Sequence, residues 1–221
     1  MKVLLFGATG MVGQGVLREC LLDPRVETVL SVGRSATGQH HPKLHEVVRG
    51  NLADLAALED QLRGYDACFF CLGVSSAGLS EGAYRHVTYD LTVSVGRTLA
   101  GLDPGMTFIY VSGAGTDSTE RGRTMWARVK GQTENALLRL PFKAAYMFRP
   151  GIIRPMHGAR SKTRSYRVLY AALEPFVFLL ALVAPNSITT TERMGRAMIH
   201  AAQAGAPTVR LGTREINALA R

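Results

Sequence analysis

The sequence predicts an α/β protein: a doubly wound parallel sheet of about seven strands, with helices on both faces and a small helical appendage at the C-terminus. Two observations carry this prediction. Strand-like and helix-like segments alternate from one end of the chain to the other, and several strand-like segments are continuous apolar runs, as expected for strands covered on both faces. Repeated right-handed strand–helix units produce this architecture, the Rossmann fold, here as one domain over residues 1–221.

Each strand and helix is predicted from its own local pattern. The predicted strands are Val3–Phe6, Thr28–Val32, Glu46–Arg49, Ala67–Leu72, Thr107–Val111, Ala144–Phe148 and Thr208–Leu211. The predicted helices are Val12–Leu22, Leu55–Arg63, Glu81–Leu102, Met125–Arg139 and Thr191–Ala204. The first helix stops at Asp23-Pro24, because proline cannot continue a helix. In such a sheet, ligands bind at the carboxyl ends of the strands.

The most informative motif is a G-x-x-G-x-x-G turn that directly follows the first strand and opens the first helix. Glycines there allow a pyrophosphate to approach the backbone, and the N–H groups and dipole of the helix N-terminus favour negative charge. The motif therefore predicts dinucleotide binding. The residues expected to hold the dinucleotide are Gly7, Thr9, Gly10, Met11, Val12 and Gly13.

The end of the second strand indicates which dinucleotide is preferred. A protein that prefers NAD usually has an acidic residue here for the ribose 2′-hydroxyl, whereas this chain has Arg34 followed by Ser35. A guanidinium pairs well with a phosphate and cannot accept a hydrogen bond from a hydroxyl. Arg34 therefore favours NADP (NADPH), and the alternative is a surface arginine without a ligand.

Two further strand ends contribute candidate cofactor contacts. Asn51 and Leu52 follow the third strand, where the Asn51 amide suits the adenine edge but could equally cap the next helix. After the fourth strand come Cys71, Leu72 and Gly73, and Gly73 would let the backbone approach the cofactor's ribose.

Composition excludes several other kinds of function. The net charge is +9, but the basic residues are scattered without an aromatic-interleaved patch, so no nucleic-acid partner is expected. The three cysteines, Cys20, Cys68 and Cys71, are expected to be reduced thiols without a metal site. The first strand starts at residue 2, which leaves no room for a targeting peptide, so the expected location is the cytoplasm.

The later part of the chain contains the most apolar segment and the densest basic cluster. The segment 168–184 is too short in its apolar run for a membrane span, so no integral span is expected. A helix packed on the core or on a second copy in a homodimer is the first interpretation, and peripheral membrane contact is the alternative. The cluster from Arg154 to Arg167 is either a solvated loop or a loop that helps hold an anionic ligand.

A combination of motifs makes the chain similar to a known family. It comprises the glycine turn, Ser112 after the fifth strand and Lys130 on the next helix, in Val129-Lys130-Gly131. The chain resembles atypical members of the short-chain dehydrogenase/reductase superfamily, specifically NAD(P)-dependent epimerase/dehydratase-like proteins. The subgroup around Tat-interacting protein 2, an oxidoreductase-like NADPH binder, is more similar still. The resemblance spans nearly the whole chain.

The resemblance implies roles for three catalytic positions. In the family a serine orients the substrate carbonyl, a tyrosine exchanges the proton, and a lysine four residues later binds the nicotinamide ribose and lowers the tyrosine pKa. Ser112 and Lys130 match, but Trp126 occupies the tyrosine position. An indole N–H can donate a hydrogen bond but is not a proton donor in water chemistry.

Trp126 therefore has two interpretations: a large apolar residue at a helix start, or a platform for the nicotinamide or the substrate. A replacement acid could come from Tyr84, Tyr89 or His157, and the spacing does not select among them.

The resemblance also implies that Pro150, Gly151 and Ile152 pack on the nicotinamide, and that residues 151–190 form a substrate-side loop and helix. The leading hypothesis is an NADP(H)-dependent oxidoreductase that acts on a small carbonyl substrate. The alternatives are an NADPH-binding regulatory protein with little catalysis and, less supported, a sugar-nucleotide epimerase or dehydratase.

Overall fold

The computed structural model describes residues 1–160 and 187–221. The strands within these ranges are β1 (Lys2–Phe6), β2 (Thr28–Gly33), β3 (Leu44–Val48), β4 (Ala67–Phe70), β5 (Thr107–Val111), β6 (Ala144–Arg149), β7 (Ile152–Arg154), β8 (Ile188–Thr190) and β9 (Arg210–Gly212). The α-helices are α1 (Met11–Leu22), α2 (Glu59–Leu62), α3 (Glu81–Arg85), α4 (Leu91–Leu102), α5 (Met125–Leu138), α6 (Thr191–Ala204) and α7 (Thr213–Leu219).

The main sheet has seven parallel strands in the order β3-β2-β1-β4-β5-β6-β9. The strand order reverses at β1, which pairs with β2 on one side and β4 on the other. The carboxyl end of β1 is therefore the topological switch point, where ligands bind in doubly wound sheets. The predicted fold class is confirmed, including the small C-terminal helices.

The continuous apolar character of β1 follows from its position in the middle of the sheet. Val3 and Leu5 belong to a core that packs under α1, α6 and α7. Leu4 and Phe6 point to the other face, into a core shared with α2, α4 and α5. Because each face has its own core, no position of this strand is left for a polar residue.

The structure differs from the predicted elements in a few places. The predicted helix Glu81–Leu102 is divided by a π-helical turn at His86–Asp90, which the apolar pattern alone did not reveal. The strand predicted at Ala67–Leu72 ends at Phe70, because the chain turns away after the Cys71 N–H donates to the Phe6 carbonyl over 2.9 Å.

A small parallel sheet was also not predicted. It pairs β7 with β8, and three-residue strands are too short to give a recognisable pattern. Most of the predicted substrate-side segment 151–190, including the apolar run 168–184, lies outside the described residues. Within the part that the structure describes, no helix is long and apolar enough to cross a bilayer.

Candidate active site

The glycine turn at residues 7–13 is packed too tightly for side chains at two of its glycines. Gly7 has a φ of 85°, and a Cβ there would lie 2.7 Å from the backbone carbon of Cys71. At Gly13 a Cβ would lie 2.0 Å from the Gly7 carbonyl oxygen. Both glycines are therefore required by the close approach of β1, β4 and α1, whether or not a ligand is bound.

The start of α1 presents free backbone donors to this turn. Gly10 is the N-cap residue and provides no side-chain hydrogen bond, while its own N–H donates to the Gly7 carbonyl over 2.9 Å. The first N–H groups of a helix have no partner within the helix, so those that follow Gly10 are available to an anion. Met11 and Val12 begin α1 and pack their side chains against the core, which leaves backbone atoms for a ligand. This cradle fits the pyrophosphate of a dinucleotide.

Gln14 joins the glycine turn to the loop after β7, a role that the sequence did not indicate. Its Nε2 donates to the Thr9 carbonyl over 3.0 Å and to the Arg160 carbonyl over 3.1 Å. Its Oε1 accepts from the Arg160 N–H over 3.1 Å. This amide therefore holds Arg160 beside the start of α1, where the diphosphate is expected.

The ends of β2 and β3 bring two arginines to the same edge of the sheet. Arg34 follows β2, is exposed, and forms no ion pair among the residues that the structure describes. The Arg49 N–H donates to the Gly33 carbonyl over 2.8 Å, so Arg49 directly follows β3 at the point where Arg34 follows β2. Sequence analysis missed Arg49, because its proximity depends on the register between two strands separated along the chain.

Asn51 and Leu52, at the same edge, have mainly structural contacts. The Asn51 Oδ1 accepts from the Ala53 N–H over 2.9 Å, which closes a turn and does not cap the helical turn that begins after Leu55, and the exposed amide keeps its Nδ2 for a ligand. The Leu52 side chain is buried in the core and leaves only its backbone for contact. Ser35 is exposed beside Arg34.

A cavity of about 500 Å³ lies at the carboxyl ends of β4, β5 and β6. It brings together Ser112, Trp126, Pro150 and Gly151, four of the residues predicted from the resemblance. The loops that form it are tied to each other, since the Ser112 N–H donates to the Phe148 carbonyl over 2.8 Å and the Ala114 N–H to the Pro150 carbonyl over 2.9 Å. The other lining residues are Val74, Ser75, Ser76, Tyr84, Gly113, Ala114 and Ile153.

The hydroxyl of Ser112 is part of a short hydrogen-bond chain. Its Oγ lies 2.8 Å from Thr116 Oγ1, which in turn donates to the Gly113 carbonyl over 2.8 Å. A hydroxyl has one proton, so a Thr116 that donates to Gly113 must accept from Ser112. Ser112 then presents lone pairs to the cavity, and it becomes a donor to a substrate carbonyl only if Thr116 turns its proton towards Ser112.

Lys130 on α5 is fixed beneath Ser112. Its Nζ donates to the Ser112 carbonyl over 2.9 Å and lies 5.7 Å from the centre of the Tyr110 ring. Although the side chain keeps some accessible surface, burial of the ammonium lowers the pKa of Lys130 to about 8, and the nearby Glu134 carboxylate opposes this shift. Lys130 thus combines the expected position with a readily changed protonation state.

Trp126 lies at the start of α5 and faces the cavity. A Cβ on Gly115, whose φ is 83°, would lie 3.3 Å from the edge of the indole, so the glycine gives the ring its space. This placement fits the platform interpretation, in which the indole supports a ligand without exchanging a proton.

The structure separates the three residues considered as replacement acids. Tyr84 lines the cavity, whereas Tyr89 does not and has the Arg85 guanidinium 4.1 Å above its ring. His157 bonds with Glu192 over 2.7 Å, and this bond holds the pKa of Glu192 below its usual range.

The remaining predicted contacts lie between these two regions. Gly151 is held in an exposed turn, where its N–H donates to Thr213 Oγ1 over 2.9 Å and a Cβ would lie 2.9 Å from the Ser187 carbonyl oxygen. Ile152 starts β7, directly after this turn. Cys71 presses its backbone against Gly7, Leu72 packs on the core, and Gly73 has open space where a Cβ would be.

Together, the fold and this site define an NAD(P)-binding protein of the short-chain dehydrogenase/reductase type. The sequence profile of the NAD dependent epimerase/dehydratase family matches residues 3–117, about half of the chain, and the protein belongs to this family. The resemblance inferred from the motifs is thereby confirmed.

Curated relatives include proteins named fmp52. "Protein fmp52, mitochondrial" of Aspergillus fumigatus is 30% identical over 170 residues, which cover 74% of this chain and 70% of the relative. "Protein FMP52-2, mitochondrial" of Scheffersomyces stipitis is 25% identical over 212 residues, 92% of this chain and 87% of the relative. Because these relatives are named mitochondrial, the expected cytoplasmic location is wrong; the position of the first strand was weak evidence for a compartment.

Solved structures confirm the fold. The enzyme WbmF from Bordetella bronchiseptica, in complex with NAD+, superposes with a TM-score of 0.69 at 16% identity, covering 99% of this chain and 76% of that one. UDP-glucuronic acid 4-epimerase from Bacillus cereus, in complex with NAD, gives a TM-score of 0.68 at 12% identity, with 96% and 78% covered.

Proposed function

We propose that this protein binds NADP(H) and acts as an oxidoreductase on a small carbonyl substrate. The observation that carries the proposal is one cavity that contains Ser112 and adjoins Lys130, at the same sheet edge as a glycine cradle for a dinucleotide. When bound, the nicotinamide supplies or accepts the hydride. The chain's own residues hold the cofactor, orient the carbonyl and exchange the proton.

The preference for NADP rests on the two arginines at the ends of β2 and β3. Arg34 and Arg49 are both exposed at the edge where the adenosine ribose of a dinucleotide would lie, and Arg49 is fixed to Gly33 through its backbone. Two guanidinium groups can share the oxygens of a 2′-phosphate, whereas a free 2′-hydroxyl needs an acceptor that neither provides.

The roles of the cavity residues follow from their chemistry. Ser112, after a turn of the Thr116 hydroxyl, donates a hydrogen bond to the substrate carbonyl oxygen. Lys130 holds the Ser112 backbone and, with its remaining N–H groups, binds the ribose of the nicotinamide half. Trp126 lines the cavity and offers the flat face of its indole to the bound ligand. Gly151 and Ile153, which line the cavity, supply part of the wall of the substrate site.

A second candidate function is favoured by one specific residue. Trp126 stands where the family has its proton-exchanging tyrosine, and general acid catalysis typically contributes about 100- to 10,000-fold to a rate. A protein that has lost this group could use NADPH occupancy to set the shape of a surface, with little turnover. This regulatory function is the alternative to the oxidoreductase.

A substrate panel distinguishes the two functions. The purified protein is incubated with NADPH and a set of small aldehydes, ketones and quinones, and oxidation of the cofactor is followed by its absorbance. The oxidoreductase proposal expects turnover of at least one compound, well above a Lys130→Met variant. Saturable NADPH binding without turnover of any compound would favour the regulatory protein instead.

A further inference from the structure

The cavity contains a tyrosine that the family pattern does not assign. Trp126, on α5, occupies the position where the family has its proton donor. Tyr84 lines the same cavity from α3. We propose that the Tyr84 hydroxyl is the proton donor to the substrate oxygen in this protein. This inference rests on the proposed oxidoreductase function and names the residue that makes it chemically complete.

The position of Tyr84 is fixed by its helix and by a neighbour one turn on. α3 opens at Ser80, whose Oγ accepts from the Ala83 N–H over 3.3 Å, and the Tyr84 N–H donates to the Ser80 carbonyl over 3.0 Å. The Tyr84 side chain is 1% exposed, and its interaction with the Thr88 side chain opposes the rise in its pKa that burial causes. Thr88 lies within the π-helical turn His86–Asp90, so the interruption of the predicted helix places this partner.

The other phenols near the site are directed elsewhere. Tyr89 lies in the π-helical turn with Arg85 over its ring, outside the cavity lining. Tyr110 is buried in β5 and is not part of the cavity lining. His157 is engaged with Glu192 and is also not part of the lining. Within the residues that the structure describes, Tyr84 is thus the one phenol or imidazole that lines the cavity together with Ser112.

The carbonyl carbon accepts a hydride, with its two electrons, from the C4–H bond of the reduced nicotinamide. The electron pair of the carbonyl π-bond moves to the oxygen, and the Tyr84 O–H bond breaks to protonate it. The tyrosinate that remains accepts a hydrogen bond from Thr88 and regains a proton from water when the product leaves.

The electrostatic surroundings suit a donor better than a base. Burial raises the pKa of Tyr84 above its ordinary value, so the phenol keeps its proton at neutral pH.

The test compares Tyr84→Phe with Tyr89→Phe, which removes a hydroxyl just outside the cavity. Both variants are assayed with NADPH and the best carbonyl substrate of the wild-type protein, and their NADPH affinity and Tm are measured in parallel. We expect kcat of Tyr84→Phe to fall by about 100-fold or more, with NADPH affinity and Tm unchanged. We expect kcat of Tyr89→Phe to stay within about twofold of wild type.

A rescue variant separates a missing proton donor from a distorted cavity. Adding Trp126→Tyr to Tyr84→Phe places a phenol at the position where the family has one, and it should restore a substantial part of the lost kcat. A merely structural role of Tyr84 would not respond to a phenol on α5, so failure of the rescue would overturn the proposal.

The remaining outcomes are also decisive. Unchanged kcat in Tyr84→Phe would overturn the role of Tyr84 and leave the oxidoreductase function intact. NADPH binding without any turnover by the wild-type protein would instead overturn the oxidoreductase function, and the role of Tyr84 with it.

Discussion

The two halves of the site differ in how closely they follow the family pattern. The cofactor half, at the carboxyl ends of β1, β2 and β3, has the glycine turn, with Gly7 and Gly13 in positions that accept no side chain. The catalytic half, at the carboxyl ends of β4, β5 and β6, keeps Ser112 and Lys130 but has Trp126 in place of the family's proton-exchanging tyrosine. Cofactor binding and proton transfer are therefore separable properties of this fold, and evidence for the first is not evidence for the second.

The contrast has a structural reason. The glycine turn is constrained twice, because the same glycines that admit a pyrophosphate also allow β1, β4 and α1 to pack. At position 126 the recorded close approach is of another kind, since a Cβ on Gly115 would lie 3.3 Å from the edge of the indole side chain and not from the backbone of a strand. A catalytic group can thus be exchanged on α5 while the cradle at the switch point is retained.

The largest effect is expected from Gly13→Ala, which places a side chain in the glycine turn at residues 7–13. The new Cβ would lie 2.0 Å from the Gly7 carbonyl, so the turn or α1 must shift. We expect a loss of about 100-fold or more in NADPH affinity and about 1–3 kcal/mol in the free energy of unfolding. Fluorescence titration and denaturant unfolding measure the two quantities.

Gly101→Ala on α4 is the matched control. Nothing lies within 4 Å of a Cβ there, so this variant should keep its NADPH affinity and gain up to about 1 kcal/mol in stability. Equal NADPH affinity in both variants would show that the turn does not hold the cofactor.

The next largest effect is expected at Lys130, whose lowered pKa determines whether the free energy of unfolding rises or falls with pH. The pKa is about 8 in the folded protein against an ordinary value of 10.5, so the unfolded chain binds more protons between these values. The free energy of unfolding of the wild-type protein should therefore rise with pH over this window relative to Lys130→Met, with a slope of up to about 1.4 kcal/mol per pH unit. Below pH 8 the full penalty of burying the ammonium is present. A constant difference between the two proteins from pH 7 to 10 would refute the assigned burial.

The two arginines test the specificity of the cofactor half. Arg34→Ala and Arg49→Ala should each reduce the ratio of NADPH to NADH affinity by about tenfold, because each removes a charged hydrogen-bonding partner of the 2′-phosphate. Arg97→Ala, which removes the same charge from an exposed position on α4, should leave the ratio unchanged. A similar decrease in all three variants would mean that only net charge matters.

Thr116→Val should have the smallest effect, confined to the catalytic half. The valine cannot accept from Ser112, whose hydroxyl proton is then available to a substrate carbonyl. We expect KM for the carbonyl substrate to fall about twofold with little change in kcat, since a neutral hydrogen bond contributes about 1 kcal/mol. An increase in KM would show instead that Thr116 helps Ser112 to donate.

The sequence predicted the parts of the site that depend on local order. The glycine turn, Arg34, Ser112 and Lys130 each stand at a fixed distance from a strand end or within a single helix, and such positions can be found by counting. Trp126 was recognised as a departure for the same reason.

The contacts that the sequence did not predict depend on register and on irregular backbone. Arg49 is placed by the pairing of β3 with β2, and Gln14 reaches Arg160 across 146 positions of the chain. Tyr84 could not be chosen over Tyr89 from the sequence, because the apolar pattern does not reveal the π-helical turn His86–Asp90 that contains Tyr89.

The most direct test of the account is a titration of the wild-type protein with NADPH and, separately, with NADH. The half of the site at the carboxyl ends of β1, β2 and β3 should bind NADPH whatever chemistry the other half performs. We predict saturable binding of NADPH, at least about tenfold tighter than that of NADH. Failure of both cofactors to saturate at millimolar concentration, or an equal or tighter affinity for NADH, would contradict it.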